Sequence, residues 1–212
     1  KRAAVAMAIA ILVGIPLGVL GAVRHNSFFD YLATFVSIVG ISTPAYVVTS
    51  LLVLLLASKL HWVPTGGWDG VFSRRVIVPG TALALYPAAV LARYTRSSML
   101  DVLRMDYVRT ARAKGLGERA VLAGHCLKNA LLPVVTIAGI VLADIATGSF
   151  FVETIYQVPG VGRYFVQSIS GRDYPLMLGT VLLLGFVVSL MNLIVDLLYP
   201  LLDPRIGSSD AQ

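Results

Sequence analysis

The chain has 212 residues, of which 57% are hydrophobic and only 13% charged, with 17 Lys and Arg against 11 Asp and Glu for a formal net charge of +6. A soluble domain holds about a quarter charged residues, and here the apolar residues gather in long runs, so a soluble globular fold is excluded. Nucleic-acid binding is set aside too, because the basic residues lie between apolar runs, as membrane topology signals do.

The first residue is Lys1 rather than Met, and no n-region, h-region and cleavage site follows, so a piece of a longer protein is expected. A helix crossing the hydrocarbon core needs about 20 apolar residues, because each backbone polar group must be satisfied within the segment. Five runs qualify in chain order. Ala3–Val23 carries Gly14, Gly18 and Gly21, a spacing that lets helix backbones approach closely. Tyr31–Ala57 is long and holds Pro44. Val76–Ala92 is the shortest, with Pro79 and Pro87, and stops at Arg93. Leu131–Phe151 contains Asp144, and Leu176–Leu202 contains Asp196. The fold class is therefore all-α, a polytopic bundle of membrane helices.

Orientation follows from the basic residues. The stretch from Arg93 to Ala130 carries Arg93, Arg96, Arg104, Arg109, Arg112, Lys114, Arg119 and Lys128, and the positive-inside rule makes it cytoplasmic. Alternation then places the tail after Leu202 inside and residues 153–175 outside. With five spans the present N-terminus falls outside, which implies a further span upstream.

The most informative stretch is Asp106–Pro133, DYVRTARAKGLGERAVLAGHCLKNALLP. It reads as two short helices broken at Gly115-Leu116-Gly117. A glycine just past a helix end takes the left-handed conformation that closes it, and Lys114 suits the C-terminal dipole. In the second helix Ala120, Ala123, Leu127 and Ala130 are expected on one side, with Glu118, His125 and Asn129 towards the other. Pro133 is expected to bend the chain into the next span. Such a segment, basic and partly apolar, is suited to dock on a partner, to lie on anionic lipid, or only to connect.

Several motifs decide between these. The segment resembles the cytoplasmic coupling loop of binding-protein-dependent importers, whose signature is Glu-Ala-Ala, three residues, then Gly. Aligned on Gly115, Arg109 stands for the Glu and Thr110 for the first Ala, while Ala111 and Gly115 are kept. The runs YVRTARAKGL, KNALLPVVT, FVETIYQVPGVGRYFVQSISGRDYP and DLLYPLLDPRI resemble, in order, the dipeptide/oligopeptide branch of these permeases.

The resemblance implies a type I importer permease in a bacterial inner membrane, its C-terminus cytoplasmic. Residues 1–205 would form the permease domain, with a coupling segment at 93–130, an extracytoplasmic loop at 153–175 and a tail at 206–212. It also implies the missing N-terminal span. The partners implied are a second, distinct permease, two cytosolic ATPases that bind the ATP and Mg, and an extracytoplasmic binding protein that delivers peptide. No cofactor is expected in this chain. Coupling is assigned to Arg109, Thr110, Ala111, Arg112, Lys114, Gly115, Leu116 and Gly117. Pro44, Asp144 and Glu153 are candidates for the substrate pathway, Asp144 with a structural hydrogen bond as the favoured alternative. Nickel or another small solute remains open as the cargo.

Rival chemistries lack their residues. There is no Gly-x-x-x-x-Gly-Lys-Ser/Thr for ATP hydrolysis and no His-Glu-x-x-His, and His25, His61 and His125 lack metal-ligand spacing. Cys126 is the only cysteine. The Gly-Val-Gly at 160–162 lacks the third glycine of a dinucleotide motif. A self-contained secondary transporter would call for more intramembrane ionisable residues and paired repeats. The topology is directly testable. In a Cys126→Ala background, a cysteine replacing Gln157 should react with an impermeant thiol reagent in intact cells, and one replacing Lys114 should not; the reverse pattern overturns the orientation.

Overall fold

The computed structural model describes residues 2–146 and 150–202, apart from the side chains of residues 143, 146 and 195–202, and the regular elements among them are all helical. The tail at 206–212 and the side chain of Asp196 lie outside the described residues. Four stretches, Arg2–Val23, Arg74–Leu103, Glu118–Leu142 and Tyr174–Ile194, are long and apolar enough to cross a membrane. A bent pair, Phe28–Ser42 with Ala45–Lys59, makes a fifth.

Helix α1 (Arg2–Val23) is the first span. The second is not one rod but two, α2 (Phe28–Ser42) and α3 (Ala45–Leu52), the latter running on as a π-helix over Val53–Lys59. The two arms meet at 102°. Pro44 causes the break: it cannot donate a backbone hydrogen bond, and its ring forces Thr43 into extended geometry at φ −91°, ψ 118°.

The third span departs most from expectation. Helix α4 (Ile77–Leu103), entered through a 3₁₀ turn at Arg74–Val76, does not stop at Arg93 and keeps Pro87 inside it. Of its most apolar stretch 56% is buried within the chain, against 6% for Tyr174–Ile194. Its hydropathy is modest because its buried face is built from small residues such as Ala82, Ala84, Ala89, Ala92 and Thr95. That face meets other helices rather than lipid, so the least apolar span is the central one.

A short helix, α5 (Asp106–Ala113), follows. Then α6 (Glu118–Ala120), a π turn (Val121–Leu127) and α7 (Lys128–Ala146) run on as one helix. The expected separate helix is therefore absent: the fourth candidate span starts at Glu118, and the helix runs through Pro133 without a break. The last described elements are α8 (Phe150–Ile155), α9 (Val161–Gly171) and α10 (Tyr174–Leu202). Residues 153–175, expected as an outer loop with a turn followed by a short interfacial helix anchored by Tyr164 and Phe165, do contain such a helix in α9 and are largely helical. Phe165 packs on Phe150 with ring centres 5.2 Å apart instead of facing outward, whereas Tyr164 is exposed.

The bundle is organised around α4. A Cβ at Gly14 would lie 2.5 Å from the carbonyl oxygen of Ala88, and one at Gly18 would overlap that of Ala92. The glycine spacing thus brings α1 backbone against α4 backbone. Ala6, Met7 and Ala10 of α1 continue the seam with Ala84, Val90 and Leu91 of α4 and Val134, Val141 and Ile145 of α7.

At one end, Asp30 of α2, only 2% exposed, receives both Nε and Nη2 of Arg96 on α4, the latter at 2.9 Å. The same carboxylate accepts from the backbone N–H of Asn26 at 3.0 Å and contacts His25 Nδ1 at 3.0 Å. Nothing in the local sequence pairs Asp30 with Arg96, which are 66 residues apart; only the packing does. Gly18 tests the seam. Gly18→Ala should overpack it at a cost of about 1–3 kcal/mol and lower membrane abundance by immunoblot. Gly185→Ala, on α10 where a Cβ meets nothing within 4 Å, should leave abundance unchanged.

Candidate coupling surface and membrane cavity

Helix α5 ends by a specific mechanism. Gly115 has φ +79°, its N–H donates to the Arg112 carbonyl at 2.9 Å, and the Leu116 N–H reaches the Ala111 carbonyl at 3.4 Å. This pair of bonds is the Schellman closure, which needs a left-handed residue and so favours glycine. Gly117 differs. It sits at φ −63°, ψ 145° as the N-cap of α6, a conformation open to any residue. Of the two glycines expected to shape the turn, only Gly115 is required by the backbone.

The turn is braced on the outside. Arg112 Nη2 lies 2.7 Å from Glu118 Oε1 and Nε 3.1 Å from Oε2, a two-point ion pair from the last turn of α5 to the first of α6. Both side chains are substantially exposed, so this pair contributes direction more than stability. A second tie crosses between two of the motifs: Asn129 Nδ2 donates to Tyr107 Oη at 2.8 Å and to the His125 carbonyl at 3.2 Å.

The inner face of α5 is seated on the bundle. Val108 and Ala111 are buried in a cluster with Ala22 of α1, Met99 and Val102 of α4, and Val121, Cys126 and Ala130 of the helix that follows. That last face differs from the expected Ala120, Ala123, Leu127 and Ala130, of which only Ala130 is buried. The π turn at Val121–Leu127 explains the rotation. Wider than an α turn, it brings residues five apart into line, so Val121 is followed by Cys126.

The outer face carries Arg109, Thr110, Arg112, Lys114, Gly115, Leu116 and Gly117, all exposed, with Leu116 at 43%. Ala111 alone of the expected coupling residues faces inward. The result is a basic knob with one exposed leucine at its tip, mounted on a helix continuous with a membrane span.

Two of the pathway candidates come together and one does not. Pro44 and Asp144 line the same cavity of about 310 Å³, with Pro87 and Tyr86, at the elbow between α2 and α3. Asp144 also lines an adjoining cavity of about 590 Å³ between α2, α4 and α7. Glu153 lines neither. It is 6% exposed on α8, accepts from the Gly162 N–H at 2.9 Å, and pairs with Arg2 at 3.0 Å. A carboxylate there satisfies a free N–H in the first turn of α9 and complements its dipole. A Cβ at Gly160 would collide with that carboxylate, so the Glu-to-Gly spacing of the motif has a steric reason.

A multi-pass helical bundle with a short helix seated beside its central span is the fold of importer permeases. The chain superposes on an inward-facing structure of the MetNI methionine ABC transporter with a TM-score of 0.73, at 17% identity and covering 95% of this chain and 91% of that one. A crystal structure of an amino acid ABC transporter gives a TM-score of 0.69 at 16% identity over 93% and 87%. The expected type I permease bundle is thus the fold observed.

The chain belongs to the family described as binding-protein-dependent transport system inner membrane components, whose model matches residues 14–208. It is 45% identical over 201 residues to the dipeptide transport system permease protein DppB of Bacillus subtilis (strain 168), covering 95% of this chain and 65% of that protein. It is 43% identical over 206 residues to the oligopeptide transport system permease protein OppB of Escherichia coli (strain K12), covering 97% and 67%. The chain therefore spans about two thirds of the length of these relatives.

The contrast between the two turn glycines gives a prediction. A Cβ at either meets nothing within 4 Å, so only backbone strain separates them. Gly115→Ala should destabilise the turn by about 1 kcal/mol more than Gly117→Ala. Amide hydrogen exchange of 105–120 in the purified protein should quicken for the first variant and not for the second.

Proposed function

We propose that the chain is one membrane-spanning subunit of an ATP-driven bacterial importer of di- and oligopeptides. It would form the translocation pathway with a second, homologous permease and receive substrate from an extracytoplasmic binding protein. Two cytosolic ATPases holding ATP and magnesium would drive it, and the chain itself would perform no catalysis. In this reading the coupling knob and the C-terminus face the cytoplasm, and the pathway candidates are the cavity residues Pro44 and Asp144, with Glu153 as an organiser of the outer end.

The observation that carries the reading is the mounting of α5. A partner that grips Arg109, Thr110, Arg112, Lys114 and Leu116 pushes on a helix whose inner face is buried against α1, α4 and the start of the fourth span. Helices α4 and α7 are the same helices that line the cavity containing Asp144. The Schellman turn and the Arg112–Glu118 brace hold the angle between knob and lever, so force reaches the cavity wall instead of being lost in a flexible loop.

The test uses the assembled transporter. Gly115→Val places a β-branched side chain at positive φ, costing about 1–3 kcal/mol locally. Uptake of a labelled peptide should fall sharply while membrane abundance stays near normal and stimulation of the ATPases is altered. Normal uptake at normal abundance would make the segment a mere connector and overturn the coupling assignment.

A further inference from the structure

The cavity of about 590 Å³ has an unusual charge pattern for a space at membrane depth. Its walls are largely apolar, and among the described residues its only charged lining residues are Arg93 on α4 and Asp144 on α7. An ionisable residue at such depth is costly and marks a ligand or ion path by default. Both side chains are exposed, and Arg93 forms no ion pair among the described residues, whereas its neighbour Arg96 is taken up by Asp30.

Only one of the two charges reaches the elbow cavity as well. Asp144 shares the elbow cavity with Tyr86, and Arg93 lies further along α4, towards the end that carries the coupling segment. At 1.5 Å per residue, the seven-residue step from Tyr86 to Arg93 is about 10 Å. A peptide extends at about 3.3–3.6 Å per residue, so a span of about 10 Å matches about three residues between ammonium and carboxylate.

We propose that Arg93 and Asp144 read the two termini of a zwitterionic peptide, the guanidinium taking the terminal carboxylate and the Asp144 carboxylate the terminal ammonium. This rests on the peptide-importer reading above and names the chemistry of its pathway. A guanidinium fork suits a carboxylate by two-point hydrogen bonding. Ile137 and Ile140 offer walls without directional preference, so side chains of differing shape are tolerated while both ends are checked. Tyr86, in the same lining between the two charges, offers a hydroxyl to the peptide's own amides.

The experiment is binding of labelled trialanine to the full-length permease pair with its ATPases in lipid nanodiscs, without the binding protein. Three ligands are compared: trialanine, its N-acetyl form and its C-terminal amide. In the wild type each blocking group should weaken binding about tenfold, the loss expected of one charge-assisted hydrogen bond. Asp144→Asn should bind trialanine about tenfold more weakly and lose sensitivity to N-acetylation while keeping sensitivity to amidation. Arg93→Gln should show the converse.

Asp144→Glu and Arg93→Lys keep the charges and should keep both sensitivities, which covers the case of a neutral variant that fails to assemble. Equal binding of all three ligands by the wild type, no measurable binding, or blocked peptides that weaken the neutral variants as much as the wild type would each overturn the assignment. ATP-driven uptake of trialanine by the complete wild-type system separates the two levels. Uptake without the terminus pattern sinks this inference alone, and its absence sinks the importer reading itself.

Discussion

The close seam between α1 and α4 is the contact on which the rest of the chain depends. Lipid tails are as apolar as leucine, so helices in a membrane gain little from hiding apolar surface from one another. What remains is van der Waals contact and hydrogen bonding at short range. Gly14 and Gly18 against Ala88 and Ala92 supply the closest approach available to two helices. With that approach made, α4 becomes a central post, and its mostly small residues leave room for α2 on a second side, where Gly40 meets Ala89, and for α7 on a third.

The Asp30–Arg96 pair acts on top of this seam. A buried carboxylate is costly to desolvate, and such a pair is favourable only when its geometry is good and its remaining hydrogen-bonding capacity is filled. Here the guanidinium contributes two bonds and Asn26 a third, with His25 alongside. The consequence is a fixed link from the turn after α1 to α4, just before Met99 and Val102, where the seat of α5 begins. The same helix therefore holds the seat of α5 at one end and the cavity wall further along. In the proposed function that continuity is the route by which a push on α5 would reach Arg93, Tyr86 and the elbow at Pro44.

Departures from regular helix fall where the arrangement needs a change of direction. Pro44 turns the second span, Gly115 turns the chain at the end of α5, and the π turn at Val121–Leu127 rotates the buried face between α5's seat and the rest of the fourth span. A π turn is a local cost that persists when tertiary packing compensates for it, and Val121 and Cys126, both wholly buried, are what it places. Pro87 and Pro133, by contrast, leave their helices continuous.

The sequence by itself determined the class of protein, the number of spans, the helix end at Gly115 and the family, because these depend on composition, run length and short motifs. The small-residue spacing in α1 was equally local and readable. Three things were decided only by tertiary structure. Hydropathy underrates a helix surrounded by protein, so α4 read as the shortest span and is the central one. A period of 3.6 is wrong across a π turn, so the buried face of 118–130 runs through Val121 and Cys126 rather than Ala120 and Ala123. Ion pairs between distant segments, Asp30 with Arg96 and Arg2 with Glu153, leave no signal in a single chain's sequence. A charge carries no mark of its partner until backbone packing brings the two within a hydrogen bond of each other.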